Sequence, residues 1–190
     1  MDIYQLLATI RILLVQPDKG WHLIKEAGYS WQQILGYFLM PLVFASSLAM
    51  VFFMGNQLQD TPLSPNQMFF ITFAGSVVAI LLSAWMIATM APRFKGESSL
   101  DETIALIAFS YTPVYLASII ASLHEALQIF NLVAMVYMLF LFFKGTAVII
   151  KVPAYKQLGF TITSVIILFA VRLLISLLLA GILGGFDMAS

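Results

Sequence analysis

The stretch MFFITFAGSVVAILLSAWMIATMA, residues 68–91, contains no charged side chain and is bounded by Asp60 and Arg93. A helix rises about 1.5 Å per residue and a bilayer's hydrocarbon core is about 30 Å thick, so about 20 apolar residues make one crossing. The same arithmetic repeats along the chain. Residues 34–54 are the apolar heart of an uncharged run between Glu26 and Asp60, and residues 103–123 run uncharged between Glu102 and His124–Glu125. Residues 126–143 reach Lys144 before the apolar pattern resumes to Ile150, and residues 158–183 are interrupted only by Arg172. The pattern predicts an all-α fold: a polytopic membrane helix bundle with spans at about 32–54, 67–91, 102–123, 126–150 and 158–184.

Composition agrees. The 190 residues are 62% hydrophobic and 9% charged, with mean hydropathy +0.99. A soluble domain carries roughly 25% charged residues, so nine acids and nine bases cannot cover a water-facing surface. Net charge is +0, which leaves no basic face for nucleic acid. The absence of cysteine excludes structural disulfides and thiolate metal sites.

Connections are short and rich in helix breakers: residues 55–65 with Pro62 and Pro65, residues 92–101 with Ser98 or Ser99 as a cap, the His124–Glu125 hairpin, and residues 151–157 with Pro153. The two prolines of the first connection are expected to stop any helix there. Arg11, Lys19, Lys25, Arg93, Lys95, Lys151 and Lys156 all fall in segments that share one side if the spans alternate. The excess of basic residues in cytoplasmic loops then places the N-terminus in the cytoplasm and the C-terminus outside.

The N-terminal segment does not read as a secretory signal: Asp2 precedes any basic residue, Arg11 interrupts the apolar stretch, and no small-residue cleavage site follows. Ile3, Leu6, Leu7, Ile10, Leu13 and Leu14 instead recur at helical spacing, Pro17 ends that helix, and residues 18–27 make a second short one. Residues 1–30 are thus expected as an amphipathic helical hairpin on the cytoplasmic side, ahead of a transmembrane domain at 31–190, with Ser30 capping the first span and Trp31 at the interface. The hairpin either covers and anchors the bundle, docks a cytosolic partner, or gates a path; Pro17, Gly20, Trp21 and Ile24 are the candidate partner-facing or membrane-facing surface.

Arg172 is the most informative polar residue, because it falls near mid-membrane and no acid lies at matching depth. An ionised side chain there costs about 2.5–3.5 kcal/mol on insertion scales, so it must face protein or water and find acceptors. Counting equal depth in the other spans reaches Ser46 and Ser47 in the first and Ser76 in the second, falls just past Tyr111-Thr112-Pro113 in the third, and reaches Tyr137 in the fourth. Pro113 has no N–H for the carbonyl of Phe109, and Arg172 is the expected donor to that freed acceptor. Arg172, Ser110, Tyr111, Pro113, Tyr137, Ser46 and Ser76 form the candidate polar cluster, read as a structural staple, a substrate or ion site, or a lipid-headgroup cavity. Lys144 is expected to snorkel as an anchor or to pair with Glu102 or Asp101. Small residues at four-residue spacing (Gly75, Ala79, Ser83; Ser176, Ala180, Gly184; Gly181, Gly185) mark close helix approaches, within the monomer or between copies.

Catalytic chemistry finds no footing. His22 and His124 lie in opposite loops, no span carries an aspartate, and no zinc-ligand spacing or phosphate-cradling glycine loop occurs. No catalytic, metal or cofactor residue is assigned, and no cofactor is expected.

The order of the remaining motifs is informative: an amphipathic start, Pro17-Asp18-Lys19-Gly20-Trp21 with Ile24, a first span with Tyr37 and Pro41-Leu42 in its opening turns, and Ala108-Phe109-Ser110-Tyr111-Thr112-Pro113 in the third. Together they resemble the Yip domain family (Ypt-interacting proteins) in its compact bacterial form, over nearly the whole chain. In that family the eukaryotic members are linked to Rab-type GTPases and vesicle traffic and carry a sizeable hydrophilic region ahead of the spans, where this chain has only residues 1–30. The resemblance implies a bacterial inner-membrane protein, with Pro17, Gly20 and Trp21 as a family-like N-terminal motif and Tyr111 and Pro113 as a family-like break in the third span. The expected function is a non-enzymatic membrane organiser or adaptor for a protein partner on the cytoplasmic side. The alternative is an oligomeric channel, for a small solute or ion, that uses the Arg172 cluster as a homo-oligomer.

Overall fold

The computed structural model of the chain describes residues 3–54 and 63–187. All regular elements among them are helical. The first connection at 55–62 and the tail at 188–190 lie outside the described residues.

Helices α1 (Ile3–Val15) and α2 (Pro17–Ala27) form a hairpin. Pro17 sits in the first turn of α2, where a missing N–H is harmless, and Gly28 closes α2 at φ 56° in the left-handed region. The first span consists of α3 (Trp31–Ile34), a π turn (Leu35–Leu39) and α4 (Met40–Met54) in one continuous rod. Pro41 accounts for the widened turn: it offers no N–H to the carbonyl of Tyr37, and its ring crowds that carbonyl.

The second span, α5 (Pro65–Met90), ends in a tight turn at Ala91–Phe94. Pro65 therefore begins this helix instead of holding the chain in a loop. Ser64 caps it, with Ser64 N–H donating to Gln67 Oε1 at 2.6 Å, and the first helical turn tolerates proline. The third span is α6 (Leu100–Ser110) and α7 (Thr112–Ala121), joined at Tyr111. Ser99, not Ser98, caps α6, its hydroxyl taking the Glu102 N–H while Glu102 reaches back to the Ser99 N–H at 2.9 Å. After a short turn at Glu125–Gln128 come α8 (Ile129–Val148) and α9 (Ala154–Asp187).

Among the described residues five helical segments are long and apolar enough to cross a bilayer: Trp31–Phe52, Pro65–Phe94, Leu100–Ala121, Glu125–Val148 and Ala154–Leu183. The third is the most enclosed and the fifth the least. Leu173, Leu174, Leu177, Leu178 and Ile182 of α9 are exposed, as are Leu132, Val133 and Val136 of α8, so the outer surface of the bundle is hydrocarbon. In water that surface would be a large liability; in lipid it is the matching solvent. The chain is an integral membrane protein.

One end of the bundle gathers the bases. Lys156 Nζ donates to the Arg93 carbonyl at 3.1 Å, and Lys151 pairs with Glu97 at 2.9 Å. That pairing lowers the Glu97 carboxyl below its ordinary range and raises the Lys151 ammonium. At the same basic end, Asp101 Oδ1 accepts the Trp31 N–H at 2.8 Å and ties the start of the first span to the third. Gly75 lets α5 and α9 approach: a Cβ there would stand 3.2 Å from Leu179 Cδ1.

Candidate functional site

Two constructions claim the polar residues of the bundle. The first fastens the hairpin to α8. Trp21 is fully buried, and its indole Nε1 donates to the Leu141 carbonyl at 3.0 Å. Its ring fits only because position 145 is glycine: a Cβ there would lie 2.8 Å from Trp21 Cε2 and Cζ2 and 2.4 Å from Leu106 Cδ1. Gly20 plays the same part inside the hairpin, where a Cβ would lie 2.3 Å from the Leu13 Cα. Tyr137 donates its hydroxyl to the Leu14 carbonyl at 2.8 Å, Lys25 Nζ donates to the Val148 carbonyl, and Lys144 pairs with Asp18 at 3.1 Å.

These contacts revise several expectations. Gly20, Trp21 and Ile24 are buried and Pro17 is half-buried, so the residues expected to present a surface form the seam between hairpin and bundle. Lys144 pairs with neither Glu102 nor Asp101: it meets Asp18 of the hairpin, while those carboxylates accept the Ser99 and Trp31 N–H groups. Tyr137 belongs to this seam and not to the Arg172 cluster.

The second construction is a cavity of about 490 Å³ between the five spans. Arg172, Ser76, Ser46 and Tyr111 of the expected cluster line it together. Arg172 Nη1 donates to Ser76 Oγ at 3.1 Å, and Ser46 Oγ donates to the Val43 carbonyl at 2.9 Å. Ser110 is fully buried away from the cavity, its hydroxyl without a hydrogen-bond partner. Pro113 lies in the first turn of α7 and does not line the cavity.

The carbonyl freed by Pro113 is satisfied locally. Thr112 Oγ1 donates to the Phe109 carbonyl at 2.8 Å, so Arg172 is not its donor. A hydroxyl three residues on reaches that oxygen without crossing the bundle.

The cavity also holds residues that counting depth from the membrane edge did not find. Tyr111, Tyr115, Ser118 and Ser122 form one stripe on the third span, joined by Asn131 and Gln128 across from them and by Glu125 at the exposed rim. Spacings of four, three and four were a readable signal: they put those side chains on one face of a helix. Toward the basic end the bundle is filled by Phe38, Leu39, Ile87, Leu106, Phe109, Leu141 and Phe142, all part of one buried apolar cluster. Among the described residues no group of three or more His, Asp and Glu is placed to hold a metal.

Fold and cavity together define a class: an all-helical, five-span integral membrane protein with an arginine held inside its bundle. The family follows from the chain itself, since the Yip1 domain matches residues 10–184 and the protein belongs to that family. No curated protein and no solved structure matches the chain.

Proposed function

We propose that this protein is a non-enzymatic organiser of the bacterial inner membrane, with its N-terminus cytoplasmic and its C-terminus outside. The observation that carries this reading is the clamped hairpin. Trp21, Tyr137, Lys25 and Lys144 hold α1 and α2 rigidly at the basic end, while Tyr4, Leu7 and Val15 remain exposed on α1. Leu6 and Leu13 of the same helix are buried inward. Arg11 is exposed between Leu7 and Val15 on the outward face, where its long stem lets the guanidinium snorkel to the headgroups. Such a helix, fixed to the bundle, occupies area in one leaflet only. Such one-sided insertion is coupled to membrane curvature.

Orientation rests on the Lys/Arg distribution, with Arg93, Lys95, Lys151 and Lys156 on the side of the hairpin. The adaptor reading would use this same end, where the Lys151–Glu97 pair is exposed in the connections between spans. The channel reading draws on the polar cavity, but a path would have to cross the apolar cluster around Phe38, Phe109 and Phe142.

The test is reconstitution at increasing protein density, with vesicle diameter measured by electron cryomicroscopy. Diameters are expected to fall as density rises, and a Leu7→Gln, Val15→Gln variant that still folds is expected to leave them at the protein-free size. Unchanged diameters with the wild-type protein, or equal effects of the two proteins, would overturn the reading.

A further inference from the structure

The Arg172 cavity asks for an occupant, and its wall says of what kind. A guanidinium carries five N–H donors; here one reaches Ser76 Oγ at 3.1 Å. The ion pairs among the described residues are Lys144–Asp18 and Lys151–Glu97, and Arg172 takes part in neither. On the same wall Tyr115 is only 4% exposed, and its hydroxyl stands beside Ser76 and Arg172 without completing a hydrogen bond to either. A positive charge outside any ion pair and a buried hydroxyl that completes no hydrogen bond thus line one space. A polar group buried without a partner is costly, and a charged one more so.

The volume, about 490 Å³, lies in the range of small-ligand sites. Thr72, Ser47 and Ser118 add hydroxyls to the wall, and Glu125 joins it from the turn that follows α7, where its side chain is exposed. An apolar occupant would leave the guanidinium bare, and a cation would be repelled by it. An oxyanion with several acceptor atoms meets the guanidinium fork and the Tyr115 hydroxyl at once, which is the geometry in which arginine binds phosphate best.

We propose that this cavity is a binding site for a phosphate group, held by Arg172 and Tyr115 with Ser76 fixing the guanidinium. The phosphate comes either from a phospholipid headgroup or from a free phosphate or phosphomonoester. The site is independent of the hairpin: membrane shaping can fail with phosphate binding intact, and the reverse.

The experiment is native mass spectrometry of the delipidated full-length protein in detergent. Four probes are added separately: phosphatidylglycerol, diacylglycerol with the same chains, inorganic phosphate and glycerol 3-phosphate. Wild-type protein is expected to retain one phosphate-bearing probe per chain and not to retain diacylglycerol. Retention of phosphatidylglycerol alone assigns the lipid as source; retention of inorganic phosphate or glycerol 3-phosphate, with displacement of the lipid, assigns the aqueous phase.

Tyr115→Phe keeps the ring and its packing and is expected to weaken binding about tenfold, as loss of one hydrogen bond to a charged group would. Arg172→Gln is expected to abolish binding, and if that variant does not fold, Tyr115→Phe decides. Equal retention of phosphatidylglycerol and diacylglycerol with no uptake of either soluble phosphate overturns the proposal. So does wild-type affinity in folded Tyr115→Phe.

Discussion

Adding one methyl group at Gly145 should unseat the hairpin, and the structure sets the size of the effect. The new Cβ would stand 2.4 Å from Leu106 Cδ1 and 2.8 Å from two carbons of the Trp21 ring. Leu106 and Trp21 are fully buried, so neither has an outward route, and the indole is also held by its bond to the Leu141 carbonyl. Overpacking of this kind costs about 1–3 kcal/mol, offset by up to about 1 kcal/mol from replacing a helical glycine with alanine. The net loss of about 0–3 kcal/mol corresponds to a fall in Tm of up to about 12 °C for a chain of this size, and relative to a glycine-to-alanine change made in open space the deficit is about 1–3 kcal/mol.

Gly181→Ala is the internal control, since a Cβ there meets nothing within 4 Å and only the helix-propensity gain remains. Thermal unfolding in detergent, followed by tryptophan fluorescence, measures both. Adding Trp21→Leu to Gly145→Ala should cost less than the sum of the two single changes, because the smaller side chain vacates the contested space. A Gly145→Ala protein as stable as Gly181→Ala would falsify the seam.

Other consequences can be read at single residues. Thr112→Val removes the donor to the Phe109 carbonyl while keeping the shape and should cost about 1–2 kcal/mol, whereas Thr112→Ser should unfold near wild type. The Glu97 carboxyl is held below its ordinary value of 4.5 by Lys151, so its contribution exists above that value and is lost as pH falls through the depressed pKa. Glu97→Gln should therefore lower Tm slightly at neutral pH and not at all in strong acid, and added salt should shrink the difference. Nitroxide labels at positions 7 and 15 should be accessible to oxygen and shielded from a water-soluble nickel complex in bilayers; the opposite pattern would place α1 in water.

The fold class could be read because bilayer thickness imposes a length on every uncharged run, and charges such as Arg93 and Glu102 punctuate those runs. Local rules were less decisive where two applied at once. Pro65 breaks a helix in its interior but begins one at its first turn, and only the Ser64–Gln67 cap shows which case holds.

The seam lay beyond reach for a different reason. Trp21 is the kind of residue that favours a membrane interface, and nothing nearby in sequence announces that Gly145, more than a hundred positions away, leaves a slot for it. Counting depth grouped Arg172 with Ser76 and Ser46, and these line the cavity together with Tyr111. Depth does not give azimuth, however. Tyr137 lies at a similar count but on the face of α8 that meets Leu14, and Ser110 points into the packed interior of the third span. The stripe of Tyr111, Tyr115, Ser118 and Ser122 shows what periodicity would have added.

The central claim is that a hairpin fixed at the basic end acts as a one-sided wedge. The measurement that tests it most directly is the partition of fluorescently labelled protein between a giant vesicle and a thin membrane tube pulled from it, with the basic end facing outward. The account predicts enrichment on the tube, since the wedge then sits in the expanded leaflet, and no enrichment for folded Leu7→Gln, Val15→Gln protein. Equal density of wild-type protein on tube and vesicle would contradict it.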